Sequence, residues 1–124
     1  MNKILMVIGG SGFIGSHFID LMISKNFRII NVDKVSYASN LDYCKSRSKM
    51  TFCKIDITNY RATSELIRKI KPHMIVNFAA ESHVDRSIDN PNIFIKSNIN
   101  GTTNILLSIL KNRNEILKNN KHFK

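Results

Sequence analysis

The chain has 124 residues and a formal net charge of +10, enough for one domain with a real core but short for a two-domain enzyme. No run of about 18 apolar residues occurs, which excludes a membrane-spanning helix, and Cys44 and Cys53 lack CxxC spacing, which argues against a metal site or a disulfide. The basic excess is scattered except in the tail (Lys111, Arg113, Lys118, Lys121, Lys124) and no nucleic-acid motif accompanies it, so nucleic acid is not an expected partner.

Residues 3–8 read as a strand buried on both faces, and Gly9-Gly10-Ser11-Gly12-Phe13-Ile14-Gly15 follows at once. A strand, a tight glycine turn and a helix start together suit a dinucleotide phosphate. The first glycine permits the turn, the second admits the pyrophosphate, and the third lets helix pack on strand. The helix N-terminus then supplies free N–H groups and a favourable dipole. With no leader ahead of this strand, a cytoplasmic chain is expected. The first helix is predicted from Phe13 to about Lys25, with Ile14, Phe18, Leu21 and Met22 facing inward.

Residues 28–32 form the second predicted strand, ending at Asp33, 18 residues past Gly15. An acid there accepts hydrogen bonds from the adenosine ribose of NAD, whereas NADP asks for a basic group. Lys34 weakens that exclusion slightly. A polar loop with a short helical turn spans 34–49, and Thr51–Ile55 is the third strand. A helix capped by Thr58 or Asn59 carries Ala62, Leu66, Ile67 and Ile70 and closes at Pro72. Met74–Phe78 is the fourth strand. A last helix starts at Asp89-Asn90-Pro91, with an inward stripe of Ile95, Ile99, Thr102, Leu106 and Ile109.

This alternation predicts an α/β fold, a partial Rossmann-type doubly wound parallel sheet in strand order 3-2-1-4 with the C-terminal half of that fold absent. Residues 1–124 form one dinucleotide-binding domain. The ligand site is expected at the C-terminal edge of the sheet. There Asn77-Phe78-Ala79-Ala80-Glu81-Ser82-His83-Val84-Asp85-Arg86-Ser87-Ile88 brings small residues and then several polar ones. Ser82, Asp85 and Arg86 also fit a turn closed by a local ion pair.

GGSGFIGS, VDKVSYASN, DIT, NFAAESHVDRSI and NPNIFIKSNINGTTNIL occur in order along residues 1–110. Together they resemble the N-terminal third of the dTDP-glucose 4,6-dehydratases, within the extended short-chain dehydrogenase/reductase family. The resemblance implies NAD as cofactor and a dTDP-sugar as the family's substrate. It implies that Phe13 and Ile14 offer amides to the pyrophosphate, beside Gly9, Gly12 and Gly15. It places Asp33, Lys34, Val35 and Ser36 around the adenine ribose, with Tyr37 and Asn40 nearby, and Asp56 and Ile57 against the adenine. Phe78, Ala79, Ala80, Glu81 and Ser82 line the nicotinamide half together with Ser97, and Ser82 also faces the sugar nucleotide. Three positions depart from the family pattern: Ile8 and Ser97 stand for Thr, and Ser39 for Gly, which would strain the loop if that position needs φ > 0.

The family oxidises, dehydrates and reduces its sugar with a YxxxK pair and a TDE pair. Neither occurs in these residues: Tyr37, Tyr43 and Tyr60 are followed four positions on by Leu41, Arg47 and Ser64. The expectation is therefore an NAD-binding part of such a lyase, inactive alone, with no catalytic residue and no metal. The alternatives are one half of a split enzyme completed by a C-terminal polypeptide, or a stand-alone nucleotide- or polyanion-binding module. A bare outer edge on the fourth strand and a tendency to self-associate are also expected.

Overall fold

The computed structural model describes residues 2–124. Four parallel strands, β1 (Ile4–Ile8), β2 (Arg28–Asp33), β3 (Met50–Lys54) and β4 (Met74–Asn77), lie in the order β3-β2-β1-β4. The helices are α1 (Phe13–Ser24), α2 (Tyr60–Ile70), α3 (Val84–Asp89), α4 (Pro91–Phe94) and α5 (Thr102–Asn119). A 3₁₀ turn spans Leu41–Tyr43, and a π-helical stretch, Ile95–Gly101, joins α4 to α5.

β1 is apolar throughout because helices cover both of its faces. Leu5 and Val7 pack with Ile19 of α1, Ile29, Tyr43 and Met50 on one side. Met6 and Ile8 pack with Ile30, Val32, Ile67 of α2 and Ile105 and Ile116 of α5 on the other. Of the two candidate caps for α2, Asn59 is the one used: its side chain accepts from Ala62 N at 3.1 Å.

The structure corrects each predicted helix stripe in part, since Phe18 and Met22 of the first and Ile109 of the last do pack against the core. On α1 the buried residues are Gly15, Ser16 and Ile19, with Phe18, Met22 and Ile23 partly buried beside them. Ile14 and Leu21 are exposed. The reason is contact at one point: Gly15 lies so close to Gly9 and Gly10 that this face of the helix must be the inner one. On the last helix, Gly101, Ile105, Ser108, Asn112 and Ile116 face inward, while Ile95, Ile99 and Leu106 are exposed. The π-helical stretch widens its turns, so a stripe counted at 3.6 residues per turn runs out of phase across it. The buried polar groups on that face are satisfied locally. Ser108 Oγ donates to Asn104 O, and Asn112 Nδ2 donates to the carbonyl and hydroxyl of Ser64.

Two further features depart from the sequence reading. α3 occupies Val84–Asp89, where no helix was predicted; it has no side-chain cap and no buried residue. The outer edge of β4 is not wholly bare. Lys124 N donates to His73 O and Ile75 N donates to Lys124 O, one residue of a parallel partner, with Phe123 against the core.

The polar loop is tied to α1 by a compact cluster. Tyr43 Oη donates to Asp20 Oδ2 at 2.5 Å, and Arg47 donates to Asp20 Oδ1 at 2.8 Å while lying over the Tyr43 ring. The bond to Asp20 and then burial push the Tyr43 phenol above its ordinary value of 10.0, against a smaller opposing pull from Arg47. The folded chain thus holds this proton more tightly than the unfolded one. Its contribution to stability is whole below pH 10.0 and is lost as pH rises through the higher folded value. Tyr43→Phe is expected to cost at most about 1 kcal/mol at neutral pH. Thermal melts across the alkaline range should show a shallower fall in Tm for the variant than for the parent chain.

Candidate functional site

The C-terminal ends of β1, β2 and β4 open onto a cleft of about 400 Å³. Its floor is the glycine loop. Gly9 has φ +74°, and a Cβ there would lie 2.4 Å from Ala79 N, so the turn and the close crossing of β4 both require glycine. A Cβ on Gly15 would lie 2.3 Å from Gly9 O, which fixes the helix against the loop. Gly12 differs. Among the described residues the one atom near its Cβ position is Gly9 O at 3.4 Å, an ordinary contact, so packing does not demand glycine at this cleft-lining position.

Gly12 is also the N-cap of α1, and no side chain caps the helix. Free N–H groups and the positive end of the helix dipole therefore meet the cleft beside Phe13 and Ile14, which are 81% and 67% exposed. An anion belongs at such an end.

Asp33 stands on the wall formed by the end of β2. Its Oδ2 accepts from Ser11 N at 3.1 Å, and its Oδ1 accepts from Val35 N at 2.8 Å and more distantly from Ser39 Oγ. Oδ2, with a single donor, keeps acceptor capacity for a ligand hydroxyl. The loop behind it stores strain at Val35, a β-branched residue at φ +62°, and not at Ser39, which does not have positive φ. Ser39 supports the loop instead, its hydroxyl accepting from Ser36 N at 2.9 Å.

On the opposite wall, Phe78, Ala79, Ala80, Glu81 and Ser82 follow β4 and Ser97 comes from the π-helical stretch. Asn98 clamps this wall: its Oδ1 accepts from Glu81 N at 2.8 Å and its Nδ2 donates to Glu81 O at 3.0 Å. The two walls meet where Lys34 Nζ lies 3.0 Å from Glu81 Oε1. Arg86 makes no ion pair with Asp85; it lies over the Tyr37 ring at 4.4 Å.

The structure thus brings Gly9, Gly12, Phe13, Ile14, Gly15, Asp33, Lys34, Ser36, Asp56, Ile57, Phe78 to Ser82 and Ser97 to one cleft, with Tyr37 at its side. Val35 is not on the cleft wall and reaches it only through its amide to Asp33, and Asn40 is also outside, its N–H donating to Ser11 O. Ser11 and Asn98 were not anticipated. Ser11 reaches Asp33 through its backbone N–H, which residue type does not reveal, and Asn98 depends on the phase of an irregular helix.

The family model for GDP-mannose 4,6-dehydratase matches residues 6–123. The chain belongs to this family. Among its relatives, the dTDP-glucose 4,6-dehydratase of Xanthomonas campestris is 39% identical over 107 residues, covering 84% of this chain and 30% of that protein. The Haemophilus influenzae enzyme of the same name is 40% identical over 113 residues, with 87% and 33% coverage. The dTDP-glucose 4,6-dehydratase DesIV of Streptomyces venezuelae, crystallised with NAD bound, superposes with a TM-score of 0.78 at 32% identity, covering 90% of this chain and 37% of that one. The Thermus thermophilus UDP-glucose 4-epimerase shares the fold, with a TM-score of 0.80 at 21% identity. The chain spans about a third of the length of these relatives. The matched part is the Rossmann-like one.

The second and third of the loop's spaced glycines, Gly12 and Gly15, should respond differently to one methyl group. Gly15→Ala is expected to lower Tm strongly, because a backbone carbonyl cannot yield by an ångström. Gly12→Ala, at φ −75° with open space ahead, should lower Tm much less, because alanine is a poorer N-cap than glycine by only roughly 1 kcal/mol or under. Paired thermal melts check this contrast.

Proposed function

We propose that the chain binds NAD as the dinucleotide-binding part of a dTDP-glucose 4,6-dehydratase-type nucleotide-sugar lyase, and that these residues by themselves do not dehydrate a sugar. The observation that carries the reading is Asp33: a carboxylate held by two backbone amides at the ribose position, beside an uncapped helix end. The space at Gly12 suits the pyrophosphate, and the amides of Phe13 and Ile14 would hold it. Asp33, the backbone at Lys34 and Ser36 would take the adenosine ribose, Asp56 and Ile57 the adenine. Phe78 to Ser82 and Ser97 would enclose the nicotinamide, with Ser82 also toward the dTDP-sugar. NAD, when bound, accepts and returns the hydride; this chain binds and orients it.

General acid–base catalysis needs a positioned group beside the reacting atoms and contributes roughly 10²–10⁴-fold. The family's YxxxK and TDE groups are not within residues 1–124. Calorimetry is expected to show weak NAD binding that Asp33→Ala largely removes. Incubation with NAD and dTDP-glucose should give no 4-keto product above a blank. Turnover would overturn the inactive reading while leaving the NAD site intact.

A second reading has its own observation. Lys124 already pairs with β4 in parallel, and the outward backbone groups of Ile75 and Asn77 point the same way along that edge. A polypeptide supplying a parallel strand there, together with the missing catalytic groups, would complete a split enzyme. The exposed Ile95, Ile99, Leu106 and Leu110 would otherwise favour association between copies. Light scattering on the purified chain is expected to show self-association. A monodisperse monomer with a sharp melt would favour a stand-alone nucleotide- or polyanion-binding module.

A further inference from the structure

We infer that Glu81 sets the preference of this cleft for NAD over NADP by holding Lys34 away from the ribose. This rests on the dinucleotide reading above and adds a residue that discriminates between the two cofactors.

Lys34 follows the ribose acid directly in sequence, where a basic side chain would be expected to accept a 2′-phosphate. It is also the one lysine or arginine among the described residues lining the cleft, which carries three carboxylates, Asp33, Asp56 and Glu81. By residue type alone, Lys34 makes the site ambiguous. Its geometry removes the ambiguity. The ammonium lies 3.0 Å from Glu81 Oε1, on the wall that follows β4, and not paired with the carboxylate of its chain neighbour Asp33.

Glu81 is placed to hold it. Asn98 fixes both the N–H and the C=O of Glu81, at 2.8 and 3.0 Å, so the backbone that carries this carboxylate is anchored to the π-helical stretch. The Glu81 side chain is 16% exposed and that of Lys34 39%. A partly shielded carboxylate on an anchored backbone holds a flexible lysine at smaller entropic cost than two free surface chains would. Glu81 therefore acts twice against a 2′-phosphate, as a like charge in the same cleft and as the partner that occupies the one lysine or arginine among the described residues lining it. Because it works through Lys34, Glu81 is a positioning residue for this discrimination.

The test is calorimetry of the 124-residue chain with NAD and with NADP, read as the ratio of their dissociation constants. Glu81→Gln is expected to lower Kd(NADP)/Kd(NAD) at least fivefold when Lys34 is present and less than twofold in a Lys34→Met background. The gain in NADP affinity should weaken with added salt, as a phosphate–lysine contact does. Asn98→Ala, which leaves both charges in place and frees the Glu81 backbone, should lower the ratio in the same direction. Circular dichroism and melts establish that each variant is folded, and Glu81→Ala replaces Glu81→Gln if the latter is not. An equal drop with and without Lys34 would make Glu81 a general charge only and overturn the inference. An unchanged ratio would overturn it as well. If the parent chain binds neither dinucleotide, the cofactor reading itself fails, and this inference with it.

Discussion

Gly9 stands where the backbone leaving β4 crosses the end of β1, with room for hydrogen and nothing larger: a Cβ would lie 2.4 Å from Ala79 N and 2.7 Å from Phe78 C. Gly15 presses the first turn of α1 against the same loop. Three backbone segments thus meet without side chains between them. That contact rotates α1 so that its uncapped end faces the cleft, and it brings the residues after β4 beside those after β2. Remove it, and neither the wall at Glu81 nor the N–H groups at Phe13 and Ile14 would share one space. Interiors packed this closely transmit a misplaced methyl group as backbone displacement.

A buried polar network extends the same constraint to the loop after β2. Asn31, fully buried on β2, donates through Nδ2 to Ser11 Oγ at 3.1 Å and to Tyr43 O at 2.8 Å, and Ser11 Oγ donates to Tyr43 O. Its Oδ1 has no hydrogen-bond partner among the described residues and sits where a Cβ on Gly10 would be, 2.3 Å away. The unmet acceptor is a local cost of about 1–3 kcal/mol. The network joins the glycine loop, β2 and the 3₁₀ turn, and Tyr43, Asp20 and Arg47 fasten that turn to α1 on the outside. The Asp33 side of the cleft is therefore held from beneath and from behind, and the strained Val35 is kept in place by its amide to Asp33.

Electrostatically the cleft opposes the rest of the chain. The net charge is +10, yet the cleft walls carry three carboxylates against Lys34. A pyrophosphate held there would be held by backbone N–H groups and a helix dipole rather than by side-chain cations. The overall charge speaks to solubility and long-range attraction of anions, while local selectivity rests on a few fixed groups. Such a division lets the surface drift in composition without altering the site.

Much of this was legible from residue types because it rests on local rules. An apolar run ending in spaced glycines has few conformational outlets, and alternating strand and helix patterns lead to a parallel sheet with β1 inside. That Asp33 stands on the cleft was legible because its position follows from its place at a strand end. The helix faces were not: Ile14 and Leu21 fit an inward stripe as well as Ile19 does, and only the contact at Gly15 chose between them. The last helix misled for a related reason, since a π-helical stretch shifts phase without marking the sequence. Ser39 was judged by the glycine it replaces, whereas the strain fell on Val35. The pairing of Lys34 with Glu81, 47 positions apart, belongs wholly to the tertiary structure. Sequence determines which side chains exist and what short segments prefer, but which charges face one another across a cleft is decided by how strands are ordered and how closely their ends approach.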